Sequence, residues 1–495
     1  MKPNSKILLA SIIIFAIILR IIFRVGLIGT GDTGHVYYAY KVSNGDFKLQ
    51  ASDPLTAARI GFVYPIAFFY KIFGVSEFSA YAYSLLTGIA SILLIYFLGK
   101  LLFNEKVGII GAFLLSFFPL NVNYSTQVYA DLAQSFFTGL AVYLFLLAEK
   151  KSLNAQKEWM YLISGISVGI SFLTKESGIV IFLFFALFIL YKLIFGKQST
   201  KIFPYLLISA GFVLVILLQG VFSYFTTGDF LLRYHMIDNM LSPALKNLYN
   251  YNGYKLIERL FVHLPYLMLT NINFGFFTIF ILLAIFYILK FKKTQAYPLV
   301  LWFAAIFLYL NFGSTSLTNY VPLPAGTPRY LEMLTMPGIL MLSFFISGEE
   351  LMIKKFIAPF TMIFLLISSI GFVYINPDRN LANAERELAK FFNSEKNLVV
   401  YTDAATKELL SFFTGFKKDV KAYWTSNYPF TGSTELVKPE EMKNAYVVVN
   451  KRMLSIVPEN YKVAFPKIYY EAPKNWTLIK KIESKQGDIL VYYAP

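Results

Sequence analysis

Runs of roughly 20 apolar residues, the length that crosses the hydrocarbon core of a bilayer, recur along this chain. They fall at 7–29, 78–103, 107–124, 130–148, 159–174, 177–195, 203–226, 264–289, 297–317, 330–347 and 356–375. Only 15% of the residues are charged and 57% are hydrophobic, against about 25% charged in a soluble protein. The chain is therefore expected to be a polytopic α-helical membrane protein of about eleven transmembrane helices. Its 35 tyrosines suit the two interfacial belts, where a ring meets hydrocarbon and a hydroxyl meets water. Pro119 and Pro337 are expected to kink their helices, which membrane helices tolerate.

The net charge is +16. Its lysines sit in short loops between apolar runs, so membrane orientation and anionic headgroups account for them, and no nucleic-acid partner is expected. With the N-terminus in the cytoplasm, the inner loops hold Lys100 and Lys106; Lys150, Lys151 and Lys157; Lys192, Lys197 and Lys201; Lys290, Lys292 and Lys293; and Lys354 and Lys355. The short outer loop at 121–130 holds no Lys or Arg. The expected location is the cell (plasma) membrane, with the N-terminus cytoplasmic and the C-terminal region extracytoplasmic. The first apolar run is long for a signal-peptide core and reads as a retained span. With no cysteine, disulfides, thiolate catalysis and Cys-ligated metals are excluded, and three histidines (His35, His235, His263) suit a three-His zinc site poorly.

Residues 1–375 form the expected transmembrane domain, with two long external loops at about 30–77 and 227–263 that look like walls of a site. Past Tyr374 the composition changes. Residues 380–394 and 404–414 read as helices, and Asn397–Thr402, Asp419–Trp424, Ala445–Asn450 and Ile489–Tyr493 as strands, giving a soluble extracytoplasmic α/β domain over 376–495. There is no internal repeat and no phosphate-cradling Gly-rich loop.

Ionisable groups near membrane depth are costly and are functional candidates by default. Asp32, directly after the first span, can cap a helix or accept a proton from a hydroxyl. Asp131 opens the fourth span and can likewise cap it. Lys175 and Glu176 can be a solvated turn or part of a site. Arg59 and Arg329 can snorkel or grip a phosphate by their planar forks. At outer span ends, an unpaired Lys175 or Arg329 would cost little. His235 reads as structural in preference to a ligand, and Glu258-Arg259 as a pair or a solvent-facing element.

In order and depth these residues resemble the protein O-mannosyltransferase and aminoarabinose-transferase group, the family 39 and 83 glycosyltransferases of the C-type membrane fold. The resemblance rests on Gly31-Asp32-Thr33-Gly34-His35-Val36-Tyr37-Tyr38, Arg59 to Pro65, Phe73 to Ser76, Pro119 to Asp131, Gly165 to Lys175, and Arg329-Tyr330 with Pro337. Many relatives have Asp-Glu where this chain has Asp32-Thr33, and the Trp-Trp-Asp signature of oligosaccharyltransferases is absent. The resemblance implies an inverting transfer of a monosaccharide from a polyprenyl or dolichyl phosphate to an acceptor hydroxyl of a protein, lipid or glycan on the outer face. It implies Asp32 as the base and Asp131 as an orienting group, with Lys175, Arg329 and Arg59 on the donor phosphate. His35, Tyr37, Tyr330, His235 and Glu176 are further substrate-binding candidates. No cofactor is required by this logic, which still admits a divalent metal shared by Asp32 and Asp131.

Two other classes compete. A transporter or lipid flippase would place charges deep within the spans and show inverted symmetry, and neither is visible here. A polysaccharide polymerase or ligase using a diphosphate-linked donor differs in donor more than in architecture.

Overall fold

The apolar runs are helical, and proline, glycine and polar residues set where each helix stops. In the computed structural model of the chain, all residues are described except 1–4, 30, 151–154, 196–202, 241–253, 315–319, 321, 324–326, 349–353, 396–397, 428–431, 453, 455–464 and 485. Lys151, Lys197, Lys201 and part of the second long loop therefore lie outside the described residues. The helices relevant below are α1 (Ser5–Ile22), α2 (Asp32–Asn44), α3 (Ile60–Phe73), α4 (Glu77–Leu102), α5 (Glu105–Phe117), α6 (Pro119–Tyr124), α7 (Ala130–Lys150), α8 (Ala155–Thr174), α9 (Ile181–Phe195), α10 (Phe203–Thr227) and α11 (Leu232–Met240). They continue with α12 (Tyr254–Phe261), α13 (His263–Thr270), α14 (Phe277–Lys290), α15 (Tyr297–Phe312), α16 (Glu332–Ser347) and α17 (Lys354–Tyr374).

Among the described residues, eight helical segments are long and apolar enough to cross a membrane: Ser5–Ile22, Glu77–Leu102, Ala130–Lys150, Glu176–Phe195, Phe203–Thr227, Thr294–Phe312, Pro328–Ser347 and Ala358–Asn380. Three expected spans are shorter or broken. The run at 107–124 divides at Phe118, whose backbone is extended, and Pro119 opens the next helix. Proline has no amide to donate and forces the preceding residue out of the helical region, so it ends one helix and starts another, where the sequence suggested only a kink. The run at 264–289 divides into α13 and α14 across Asn271–Phe276. α8 and α9 are separate helices joined by a 3-10 turn at Glu176–Val180. The first long loop also holds two helices, α2 and the apolar α3.

The C-terminal region adds α18 (Asn383–Ser394), β1 (Val400–Asp403), α19 (Ala404–Phe413), β2 (Val420–Asn427), β3 (Gly432–Glu435), β4 (Ala445–Asn450), β5 (Thr477–Ile482) and β6 (Ile489–Ala494). These strands form one sheet in the order β3-β2-β1-β4-β6-β5. β1 is parallel to both β2 and β4, and the outer pairs are antiparallel. All of β4 is buried, as its unbroken Ala445-Tyr446-Val447-Val448-Val449 run requires for a strand covered on both faces. α18 and α19 bury Leu388, Phe392 and Leu410 against Val400, Val448 and Val491. The sequence missed β3 and β5, which lie on the two edges. β5 is mostly exposed and carries little apolar signal.

Contacts group the residues into two compact units. The first comprises Met1–Arg24, Lys41–Phe68 and Tyr81–Asn376. The second comprises Val25–Tyr40, Phe69–Ala80 and Pro377–Pro495, so two segments from the first long loop pack with the C-terminal region.

Candidate active site

Within the first unit, charged side chains from distant parts of the sequence converge at the ends of α3, α7 and α8. Helix α8 stops at Thr174, and Lys175 continues with extended backbone. A Cβ on Gly61 would lie 2.8 Å from the Thr174 amide nitrogen and Oγ1, so only glycine lets the start of α3 come this close to the end of α8. That approach brings Arg59 to Glu176: Arg59 Nη2 donates to Oε2 at 3.0 Å. Arg233, on α11, donates to the other oxygen, Oε1, at 2.9 Å. Arg233 is buried, also donates to the carbonyls of Ala58 and Phe172, and lies 4.8 Å from the Phe172 ring centre.

Asp131, at the first turn of α7, is 4% exposed. Lys175 Nζ donates to its Oδ1, and Arg329 Nε lies 3.7 Å from its Oδ2. Lys175 sits 4.1 Å from the centre of the Tyr330 ring, and Arg329 4.5 Å from that of Tyr129. The expectation of a solvated turn at Lys175-Glu176 is thus overturned: Lys175 is 7% exposed and both residues are held in ion pairs. Nor is Lys175 or Arg329 an unpaired cation at a span end, because each faces Asp131. Among the described residues, the cluster holds four cations (Arg59, Lys175, Arg233, Arg329) against two acids (Asp131, Glu176).

Beside the cluster lies a cavity of about 610 Å³. Arg59, Lys175, Glu176, Arg233 and Asp131 line its charged end, and Ile179, Ile216, Phe230, Ile237, Leu310 and Met333 are among its apolar walls. Tyr330 lines it as well. His235 is not among the lining residues described; it is half exposed and pairs with Asp229 at 2.7 Å, in keeping with a structural role. Arg259 is buried and donates to the carbonyls of Leu323 and Leu310, so it does not face solvent, while Glu258, whose side chain is 42% exposed, meets His263 at 3.5 Å. Sequence reasoning missed Arg233. Its signal was a lone Arg after Phe230-Leu231-Leu232, overshadowed by the neighbouring His235.

A second buried cation, also missed, lies inside the first span. Arg20 is fully buried and donates to Ser125 Oγ at 3.0 Å, to the Ala16 and Ser116 carbonyls, and to Asn121 Oδ1. Asn121 in turn donates to Glu332 Oε1 at 3.0 Å. This chain of contacts ties α1, α6 and α16 together.

Asp32, His35 and Tyr37 belong to the second unit. Asp32 is fully buried at the start of α2, and its carboxylate turns back to accept the amides of Ile28 at 2.8 Å and Gly29 at 2.9 Å. Burial pushes its carboxyl up to about 6 against the pull of these amides. His35 is buried, and Tyr37 is 41% exposed beside Phe416. Among the described residues no group of three or more His, Asp or Glu side chains could hold a metal ion, and both oxygens of Asp131 already face cations.

The profile of the dolichyl-phosphate-mannose-protein mannosyltransferase family matches residues 59–219. No curated protein sequence matches the chain. Among solved structures, ArnT from Cupriavidus metallidurans in its apo state matches over 98% of this chain and 97% of its own, with a TM-score of 0.64 and 12% identity. Its structure bound to undecaprenyl phosphate matches over the same shares, with a TM-score of 0.62 and 13% identity. The Archaeoglobus fulgidus oligosaccharyltransferase in its apo form matches over 92% of this chain and 70% of its own, with a TM-score of 0.55 and 14% identity. The fold that the sequence motifs suggested is therefore present: the chain is a multi-pass membrane protein with the fold of these C-type glycosyltransferases, and about a third of it matches the mannosyltransferase family profile.

Proposed function

We propose that the chain is an inverting glycosyltransferase that moves a monosaccharide from a polyprenyl or dolichyl monophosphate to an acceptor hydroxyl of a protein, lipid or glycan at the outer membrane face. One observation carries this reading: an apolar cavity that ends in a largely buried cluster which, among the described residues, holds two more cations than acids. A buried charge without a partner is strongly destabilising. An anionic headgroup on an isoprenoid tail supplies both the missing charge and the apolar body. The ArnT structure bound to undecaprenyl phosphate supports the same class of donor.

In the proposed reaction the acceptor oxygen attacks the anomeric carbon and the bond from that carbon to the phosphate oxygen breaks. The bonding pair leaves with the phosphate and the acceptor proton passes to Asp32. Arg59, Lys175, Arg233 and Arg329 balance the charge that grows on the departing phosphate, the kind of preorganised stabilisation that is usually the largest catalytic effect. Asp131 and Glu176 hold those cations in place. Alternating basic loops support a cytoplasmic N-terminus, an extracytoplasmic C-terminal domain and residence in the cell membrane.

Mass spectrometry of the lipid that co-purifies with the chain tests the donor. A polyprenyl monophosphate sugar is expected. A polyprenyl diphosphate sugar would move the chain to the polymerase or ligase class, and a solute with no polyprenyl lipid would overturn the transferase reading.

A further inference from the structure

The three stretches of the second unit meet around the loop that presents Asp32. Arg386, on α18 of the C-terminal region, grips Glu77 by both oxygens, Nε to Oε2 at 3.1 Å and Nη2 to Oε1 at 2.9 Å. Its Nη2 also donates to the carbonyls of Val25 at 3.2 Å and Leu27 at 3.3 Å. Glu77 Oε1 accepts the Leu27 amide at 3.1 Å. The next two amides along the chain, Ile28 and Gly29, are those that bind the Asp32 carboxylate. The loop therefore has Arg386 and Glu77 on one side and Asp32 on the other.

The fit is close enough to demand glycine. Gly26 has φ +81°, and a Cβ there would lie 2.3 Å from Glu77 Oε1 and 2.7 Å from Arg386 Nη2. Gly29 has φ +83°, and a Cβ there would lie 2.8 Å from the Leu409 side chain on α19. Thr33, the residue after Asp32, bonds through its hydroxyl to Glu408, also on α19. The charged and titratable groups around the loop are thus Glu77, Arg386, Glu408 and, on α2 itself, His35.

We propose that Arg386 and Glu77 are positioning residues that clamp the Val25–Gly29 backbone so that its amides aim Asp32 for proton transfer. The C-terminal domain is then a working part of the transfer chemistry and not a passive appendage. This rests on the reading of Asp32 as the base. A carboxylate that must take a proton from a hydroxyl has to be held within hydrogen-bond reach, and a displacement of about 1 Å can lower the rate roughly 100-fold. The clamp also sets the proton affinity of Asp32, because amide donors favour the charged form and oppose the upward push of burial.

The test uses the full-length chain in detergent, with polyprenyl-phosphate mannose as donor probe and release of polyprenyl phosphate as readout. In the wild type, Asp32 must lose its proton to act, so turnover rises with pH through about 6. Arg386→Ala is expected to lower kcat roughly 10- to 100-fold with donor KM within about twofold, and to move that acidic limb upward. Hydrogen exchange at the Ile28 and Gly29 amides should quicken in the same variant, while exposed Lys390→Ala on the same helix changes neither reading. Arg386→Lys keeps the charge without the fork and should restore only part of the protection. Glu77→Gln should show the Arg386→Ala pattern in weaker form. If Asp32→Asn is inactive but Arg386→Ala keeps the wild-type kcat, acidic limb and loop exchange, the clamp alone is overturned. If Asp32→Asn turns over normally, the base reading fails and the clamp loses its catalytic meaning with it.

Discussion

Lys175 and Asp131 illustrate how much a side chain's meaning depends on partners far away in sequence. Both lie at helix ends, where each alone would have a cheap, solvated existence. Their pairing buries two charges together, and breaking a buried pair by removing one partner costs about 3–5 kcal/mol. Lys175→Ala is therefore expected to lower the thermal midpoint as well as donor use. Lys175→Ala with Asp131→Ala should recover part of the midpoint, because the Lys175–Asp131 pair leaves neither member orphaned while Arg329 loses the acid it faces, yet remain unresponsive to added polyprenyl phosphate. The wild type should be stabilised by that lipid, since a ligand that binds only the folded state raises apparent stability. Thermal shift with and without polyprenyl phosphate checks all three. Equal stabilisation of the double variant and the wild type would remove Lys175 and Asp131 from the donor site.

At the scale of elements, the hydropathy runs made most helices legible, and Val-rich strings such as Ala445–Asn450 made the central strands legible. What was not legible is where elements touch. Gly61 reads as an ordinary glycine opening an apolar helix, yet it decides whether α3 can meet the end of α8, because any side chain would press on Thr174 backbone. Gly61→Ala is expected to force the two helix ends apart, lengthen the Arg59–Glu176 contact and weaken donor binding, while Arg233 keeps its hold on Glu176. Donor KM should rise more than kcat falls; an unchanged KM would show that the close approach has no bearing on the site. In the same way Asp32 stood out by position, but the clamp behind it did not. Arg386 and Glu77 lie 309 positions apart, and no local periodicity links an amphipathic helix near the C-terminus to a glycine-bearing loop near the N-terminus. Arg233 was hidden for a related reason: its partner Glu176 and the carbonyls it caps come from two other segments.

For the molecule as a whole, the side on which the C-terminal domain lies turns on how many helices cross. α3 has 14 residues, which at 1.5 Å per residue is about 21 Å, short of the roughly 30 Å hydrocarbon core. It therefore should not cross, and counting it would invert everything after it. The broken run α5–α6 extends from Glu105 to Tyr124, about 20 residues and roughly the full thickness, so it is counted as a crossing. With that parity the basic loops stay on one side throughout. The cysteine-free chain makes the count testable without removing any native thiol. Ser394→Cys, at an exposed position in the C-terminal domain, and Lys106→Cys, at an exposed position in the first turn of α5, are introduced singly. A membrane-impermeant maleimide applied to intact cells should label Ser394→Cys, and should reach Lys106→Cys only after permeabilisation. The opposite pattern would reverse the orientation, moving the proposed transfer to the inner face. Labelling of both sites from outside would mean an error in the number of crossings between them, and α3 lies before that interval, so the fault would lie first in the broken runs α5–α6 and α13–α14 or in the short α8.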